Sequence, residues 1–150
     1  MEYCGINDLT RWIDPGELIA LCSREAGATL QSPEVTNVAN EVIKSAGSEI
    51  DGYLLGRYPG LRGITPTPTE IQTVCARIAI YYLYLRRRAM NVFWRQQYED
   101  CRERLEKMSR GELDISTGEP LNKALASGNA WRTDAGEDDS AYSRDKLNRF

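Results

Sequence analysis

Apolar residues recur every three or four positions along the first 111 residues, which is the period of amphipathic α-helices. The longest such stripe predicts a helix of about seven turns that opens at Ser32-Pro33. Its members are Val35, Val38, Ala39, Val42, Ala46, Ile50, Tyr53 and Leu54. Pro59 and Gly60 stop the helix, since neither residue favours a helix interior. Its length indicates a scaffold element.

Two further stripes predict two more long helices. One opens at Thr67-Pro68-Thr69-Glu70, a composition typical of a helix start. It continues through Ile71, Val74, Cys75, Ile78, Tyr82 and Leu85. Because residues 80–85 are apolar on all sides, we expect this helix in the middle of the domain. The last stripe comprises Met90, Trp94, Tyr98, Cys101, Leu105 and Met108, and Arg110-Gly111 supplies a basic last turn and a cap.

Two short helices are predicted before the long ones. Asn7 or Asp8 is suited to cap a helix that ends near Trp12. Asp14-Pro15-Gly16-Glu17 indicates a second start, with an acidic N-cap, a proline at the first helical position and a glutamate to bond back to the cap. No stretch alternates polar and apolar residues convincingly. The predicted fold class is therefore all-α: a small helical bundle of two short N-terminal helices and three long helices.

The helical pattern stops after Gly111. Residues 112–150 are rich in Ser, Thr, Gly, Asn, Asp and Glu and hold eight sizeable apolar side chains. Ordering a backbone costs roughly 1 to 2 kcal/mol per residue, which so little apolar surface does not offset. We predict a helical domain over residues 1–111 and an extended or disordered C-terminal tail over residues 112–150.

Composition narrows the class of function. The 150 residues suit one domain, and they contain no histidine, which removes the commonest general base and a frequent metal ligand. The four cysteines show no Cys-x-x-Cys spacing, so we expect neither a metal site nor another cofactor. No run of 18 apolar residues and no cleavable leader is visible, which argues against a membrane location. We expect reduced cysteines and no enzymatic activity.

The net charge of −3 conceals a polarised layout. Residues 1–76 have a net charge of −5, residues 77–111 of +5 and the remainder of −3. Subunits with one acidic and one basic face can pair head to tail and close into rings. Solvated helix faces are the equally weighted alternative. The candidate residues of a subunit interface are Asp51, Arg57, Arg86, Arg87 and Arg88.

Three groups of residues suggest chemistry. Arg86-Arg87-Arg88 beside several tyrosines is compatible with nucleic-acid binding, although a basic helix end is the simpler interpretation. We interpret Asp138-Asp139 as part of a solvated acidic linker. In residues 140–150, apolar anchors flank a charged trio, which suits docking on a partner's groove or sheet edge. Its candidate partner-binding residues are Tyr142, Ser143, Arg144, Asp145, Leu147 and Phe150; an inert solubilising tail is the alternative.

Residues 49–58, followed at once by Pro59, resemble the central signature of the Mu-like phage head-to-tail connector family. Other segments resemble that family in the right order over nearly the whole chain. They are Tyr3, Asp8-Leu9, Arg11-Trp12, Glu17-Leu18-Ile19 with Leu21, residues 76–79 with residues 82–84, residues 98–101, Leu105, residues 111–113, and the terminal peptide of residues 142–147 with Phe150. The loop over residues 59–68 departs from the pattern by being richer in Gly, Pro and Thr, and so does Arg149, where a small residue is commoner.

The resemblance implies a structural connector, or adaptor, of a phage or prophage. Copies of the chain, about twelve by the family pattern, would form a ring on the portal protein. Packaged DNA would pass through the ring without sequence-specific binding, and tail or neck proteins would attach to it. The implied location is the virion neck, after assembly in the bacterial cytoplasm. A tail-side completion protein and a small helical DNA-binding protein are the alternatives.

Overall fold

The computed structural model describes residues 2–89, 91–119 and 121. These residues form five α-helices and a 3-10 turn at Leu61–Gly63, with no strand among them. The helices are α1 (Ile6–Leu9), α2 (Pro15–Cys22), α3 (Pro33–Leu54), α4 (Thr69–Arg86) and α5 (Val92–Ser109). The predicted all-α class, with two short helices followed by three long ones, is confirmed.

Helix α4 lies at the centre of the fold. It packs against α1, α2, α3 and α5, and it buries residues on several of its sides. The buried set comprises Ile71, Val74, Cys75, Ala76, Ile78, Ala79, Ile80, Leu83 and Tyr84. Helix α3 buries the apolar stripe predicted for it, with Tyr53 half-buried at its edge. The sequence prediction of a central helix is therefore confirmed.

Some helix starts differ from the predicted ones. Helix α1 begins after Gly5, whose backbone N–H donates to Asp8 Oδ2 at 2.7 Å. Asp14 caps α2 as predicted and accepts from the N–H of Gly16 at 2.9 Å. Glu17, however, accepts a hydrogen bond from the hydroxyl of Tyr84, so it ties α2 to α4. A bond across the fold replaces the expected local capping box.

The chain after α5 continues to pack against the helices. Gly111 has a φ of +80° at the predicted cap position, and the N–H of the next residue bonds to Lys107 O at 2.8 Å. Residues 112–119 then turn back, and Ile115 is buried in the core. The packed part thus extends beyond Gly111, where the sequence predicted an extended tail. Residues 122–150 and Met90 lie outside the described residues.

Candidate partner interface

Asp51, a predicted subunit-interface residue, lies inside the subunit. Its side chain is only 7% exposed. It accepts hydrogen bonds from the hydroxyl of Tyr3 and from Arg62, whose Nη2 lies 2.8 Å and Nε 3.2 Å from Oδ2. These bonds join α3 to the N-terminal segment and to the turn after α3. Asp51 therefore has a role within the fold, and a contact with a second subunit stays a prediction.

The surroundings of Asp51 set its charge state. Burial by itself would raise the pKa of the carboxyl group, but the hydrogen bonds from Arg62 and Tyr3 outweigh it and hold that pKa below its ordinary value. Burial, together with the nearby carboxylate, raises the pKa of the Tyr3 hydroxyl far above its usual range. Asp51 is therefore ionised and Tyr3 protonated at neutral pH.

The arginine run divides into one anchored and two exposed side chains. Arg87 Nε donates to the carbonyl oxygen of Leu21 at 2.8 Å, and its Nη2 donates to that of Ala20 at 3.1 Å. These carbonyls belong to the last turn of α2, where a cation is favourable. Arg86 and Arg88 are exposed. Two of the three arginines in this run are thus free to face a partner.

Arg88 also has an unusual backbone conformation. Its φ of +56° lies in the left-handed region, which costs a residue with a side chain about 1 to 2 kcal/mol. The following N–H, of Ala89, donates to Tyr84 O at 3.0 Å, and that of Arg88 donates to Leu85 O at 2.9 Å. Together these bonds close a Schellman cap. The position is analogous to Gly111 at the end of α5, with arginine in place of glycine.

Arg57 is exposed just after α3, away from the arginine run. Its guanidinium lies 5.8 Å from the ring centroid of Tyr58 and beside Gly111. Gly111 follows the C-terminus of α5, whereas Arg86 and Arg88 adjoin its N-terminus. Helix α5 has 18 residues and is about 27 Å long. The five predicted interface residues therefore do not form one patch.

The connection from α4 to α5 forms the most apolar part of the described surface. Leu85, Val92 and Phe93 are 47%, 81% and 61% exposed. We call residues 85–95 the α4–α5 corner; Met90 within it is outside the described residues. Several exposed apolar side chains within one short segment favour an interaction site over a purely solvated surface.

A cleft of about 260 Å³ adjoins the corner between α4 and α5. Its aromatic walls include Tyr81 and Tyr98, whose rings stack at 4.2 Å between centroids. Arg95, Arg102 and Glu99 also line it, and Arg95 pairs with Glu99 at 3.6 Å, so the cleft combines aromatic faces with charged groups of both signs. The sequence showed the tyrosines beside the arginine run. It did not show the cleft, because α5 contributes four of the nine lining residues.

A carboxylate and two tyrosines join the three long helices beside this cleft. Glu49 on α3 accepts hydrogen bonds from the hydroxyl of Tyr82 on α4 and from that of Tyr98 on α5, the latter at 2.9 Å. Burial and the bond to Glu49 raise the pKa of Tyr98 to about 12 and move that of Tyr82 further upward. Both hydroxyls therefore donate at neutral pH and hold the cleft walls in place.

Among residues 2–89, 91–119 and 121, no group of three or more Cys, Asp or Glu side chains is arranged to hold a metal ion. None of the helices described is long and apolar enough to cross a membrane.

Fold and surface together define a small all-α protein with a basic and aromatic corner. A family model described as Bacteriophage Mu, Gp36 matches residues 3–132. Because this match covers most of the chain, the protein belongs to that phage family. The predicted resemblance to a Mu-like phage family is confirmed, and the match ends before the peptide at 140–150. None of the curated proteins compared matches the chain.

Proposed function

We propose that the chain is a structural head-to-tail connector of a phage or prophage. Subunits assemble as a ring on the portal protein and link the DNA-filled head to the tail. The observation that carries the proposal is membership of the Bacteriophage Mu Gp36 family over residues 3–132. In this proposal the protein acts by binding, with no catalysed reaction, and its place is the virion neck after assembly in the bacterial cytoplasm.

The exposed surface supports a binding role. Leu85, Val92 and Phe93 offer apolar contact area, and Arg86 and Arg88 beside them are free to pair with acidic groups. Arg57 lies at the other end of α5, so the subunit has two separate basic points. Contacts between unlike faces are what a ring of identical subunits requires.

The terminal peptide is the second proposed contact. In this proposal, Tyr142, Leu147 and Phe150 anchor residues 140–150 on a neighbouring virion protein, with Arg144 and Asp145 setting the register. These residues lie outside the described part of the chain, and they follow the family match. The proposal therefore rests here on the sequence pattern of spaced apolar anchors around charged groups.

Deletion of the gene from its phage or prophage tests the proposal. We expect lysates with DNA-filled heads and separate tails, seen by electron microscopy, and infectious particles restored by the gene in trans. Complete infectious particles without the gene would overturn the proposal. The variant Phe93→Ser should join heads to tails less efficiently, whereas Ile64→Ser, which changes a 41% exposed residue elsewhere, serves as the matched control.

Binding to purified virion proteins separates the proposal from a tail-side role. We expect the isolated protein to be monomeric or weakly associated and to form rings when the portal protein is added. Capture by tail proteins, with none by the portal, would favour a tail-side completion protein. A stable ring of the isolated protein would contradict the expectation for the free subunit.

A DNA-binding protein is the second candidate, and it rests on the exposed Arg86 and Arg88 beside Tyr81. Phosphate binding by arginines makes affinity fall steeply with salt. Arg87 is less available, because its guanidinium already bonds to the end of α2. Salt-dependent gel shifts at low protein concentration would favour this candidate over the connector.

A further inference from the structure

The α4–α5 corner lies beside a second, strongly basic cleft. This cleft has a volume of about 410 Å³, and Arg24, Arg86 and Arg87 line it together with Glu34. In the described part of the chain, no carboxylate oxygen lies within 4.0 Å of the guanidinium of Arg24, Arg86 or Arg87. Three cations thus line one cleft without an ion pair, and the exposed Leu85 comes directly before Arg86 in the chain.

The end of the sequence has a complementary pattern. Residues 137–139, Glu-Asp-Asp, are the one run of three successive acidic residues in the chain. Tyr142 follows three positions later, and Leu147 and Phe150 come after it. An acidic run followed by apolar anchors matches a surface on which arginines adjoin exposed apolar side chains. Both charge and hydrophobicity therefore favour this segment as the occupant of the corner.

The segment can reach the corner of its own chain. Leu121 bonds to the backbone of Glu112 just beyond the C-terminus of α5, and Arg95 beside the corner lies 14 residues before Ser109 on that helix. This separation is about 21 Å along the helix axis. The 15 residues between Leu121 and Glu137 can span up to about 50 Å. A covalent link of sufficient length gives a local concentration in the millimolar range, which favours the same chain over a second copy.

We propose that residues 137–150 dock on the α4–α5 corner of their own chain, with the acidic run facing the cleft lined by Arg24, Arg86 and Arg87 and with Tyr142 covering the exposed Leu85. The inference concerns the free subunit and does not depend on the connector role. The tail shields the most apolar part of the described surface until a partner displaces it.

A competition experiment on the full chain tests this inference. A fluorescent peptide of residues 134–150 is titrated with the full-length protein and with the full-length variant Glu137→Gln, Asp138→Asn, Asp139→Asn. The variant tail no longer competes, so we expect the peptide to bind the variant about tenfold more tightly than the unchanged protein. Equal affinity for both proteins, or binding to neither, would overturn the inference.

Two further substitutions in the neutral-tail background identify the surface. Arg24→Gln with Arg86→Gln should weaken peptide binding about tenfold or more, since both remove positive charge from the cleft. Arg57→Gln, at the other end of α5, is the matched control and should leave the affinity unchanged. Circular dichroism of each variant verifies that the helices persist. A similar loss with Arg57→Gln would argue for non-specific attraction.

Amide NMR spectra distinguish the other occupants. Docking within one chain predicts that the resonances of residues 85–95 shift when the tail acids are neutralised, but not between about 10 and about 300 µM protein. Shifts that depend on concentration would assign the corner to the tail of a second copy and overturn the inference. Binding of duplex DNA at the corner, without binding of the peptide, would also overturn the inference.

Discussion

Replacing Asp51 separates a role in folding from a role between subunits. Asp51→Ala removes the acceptor of the Tyr3 hydroxyl, and Tyr3 is only 2% exposed. A buried donor that is left without a partner costs about 1 to 3 kcal/mol. The bond to Arg62 adds less, because the side chain of Arg62 is 57% exposed and water screens the pair. We expect Asp51→Ala to lower the free energy of unfolding by about 1 to 3 kcal/mol.

Urea unfolding followed by circular dichroism measures this loss. Tyr3→Phe removes the donor, and the double variant should be less destabilised than the two single changes would give by addition, because neither buried partner is then left alone. Arg62→Ala is the control and should have a smaller effect. An unchanged urea midpoint for Asp51→Ala, or strict additivity in the cycle, would refute this account. Loss of assembly with unchanged stability would instead support the predicted subunit contact.

The same pair has a pH signature. The pKa of Asp51 is lower in the folded chain than the ordinary value of about 4. Its contribution to stability is therefore present above about pH 4 and is lost as the pH falls through the folded pKa. Below about pH 4, the unfolding free energy of Asp51→Ala should accordingly depend less on pH than that of the unchanged protein does.

Three further predictions test other parts of the structure. Arg88→Gly should raise the unfolding free energy by about 0.5 to 1 kcal/mol, because relief of the left-handed backbone outweighs the greater freedom of glycine in the unfolded chain. Gly111→Ala should lower the unfolding free energy, because alanine does not favour a positive φ. If urea unfolding shows both variants to be stabilised, or both to be destabilised, the assignment of the two caps is contradicted. Stability should fall as the pH rises above about 10, since burial and Glu49 raise the pKa of Tyr98 to about 12 and the folded state then holds its proton more tightly than the unfolded state; urea unfolding of Tyr98→Phe should show a smaller loss of stability over this range than the unchanged protein, and an equal loss would argue against the buried bond. Burial raises the pKa of the Cys22 and Cys101 thiols to about 11 and about 12, so at about pH 8 they should react with a disulfide reagent only as fast as the protein opens; rapid labelling of the folded protein would count against their burial.

The sequence predicted the features that depend on neighbouring residues. The apolar stripe of α3, the proline and aspartate at the start of α2, and Gly111 at the end of α5 follow from periodicity and capping, which act over a few residues. The placement of α4 followed from its continuous apolar segment. These predictions are confirmed because tertiary packing and local preference agree at these positions.

The sequence did not predict contacts between distant parts of the chain. Asp51 is polar and sits on a long helix, so the sequence analysis placed it among the candidate subunit-interface residues, but Tyr3 lies 48 residues away and makes its burial favourable. Arg87 bonds to α2 from 66 positions along the chain, and no pattern marks it apart from its two neighbours. Ile115 is an isolated apolar residue among polar ones, which is why the turn after α5 was missed.

The turn formed by residues 112–119 has a geometric consequence for any assembly of this chain. Because Ile115 is buried and the N–H of Leu121 bonds to Glu112 O, the last described residue lies close to the end of α5 and away from the α4–α5 corner. In the proposed ring, rotational symmetry repeats that position around one rim. In such a ring, all the C-terminal segments would begin on the same side. The assembly would then have a polarity that distinguishes the face towards the phage head from the face towards the phage tail.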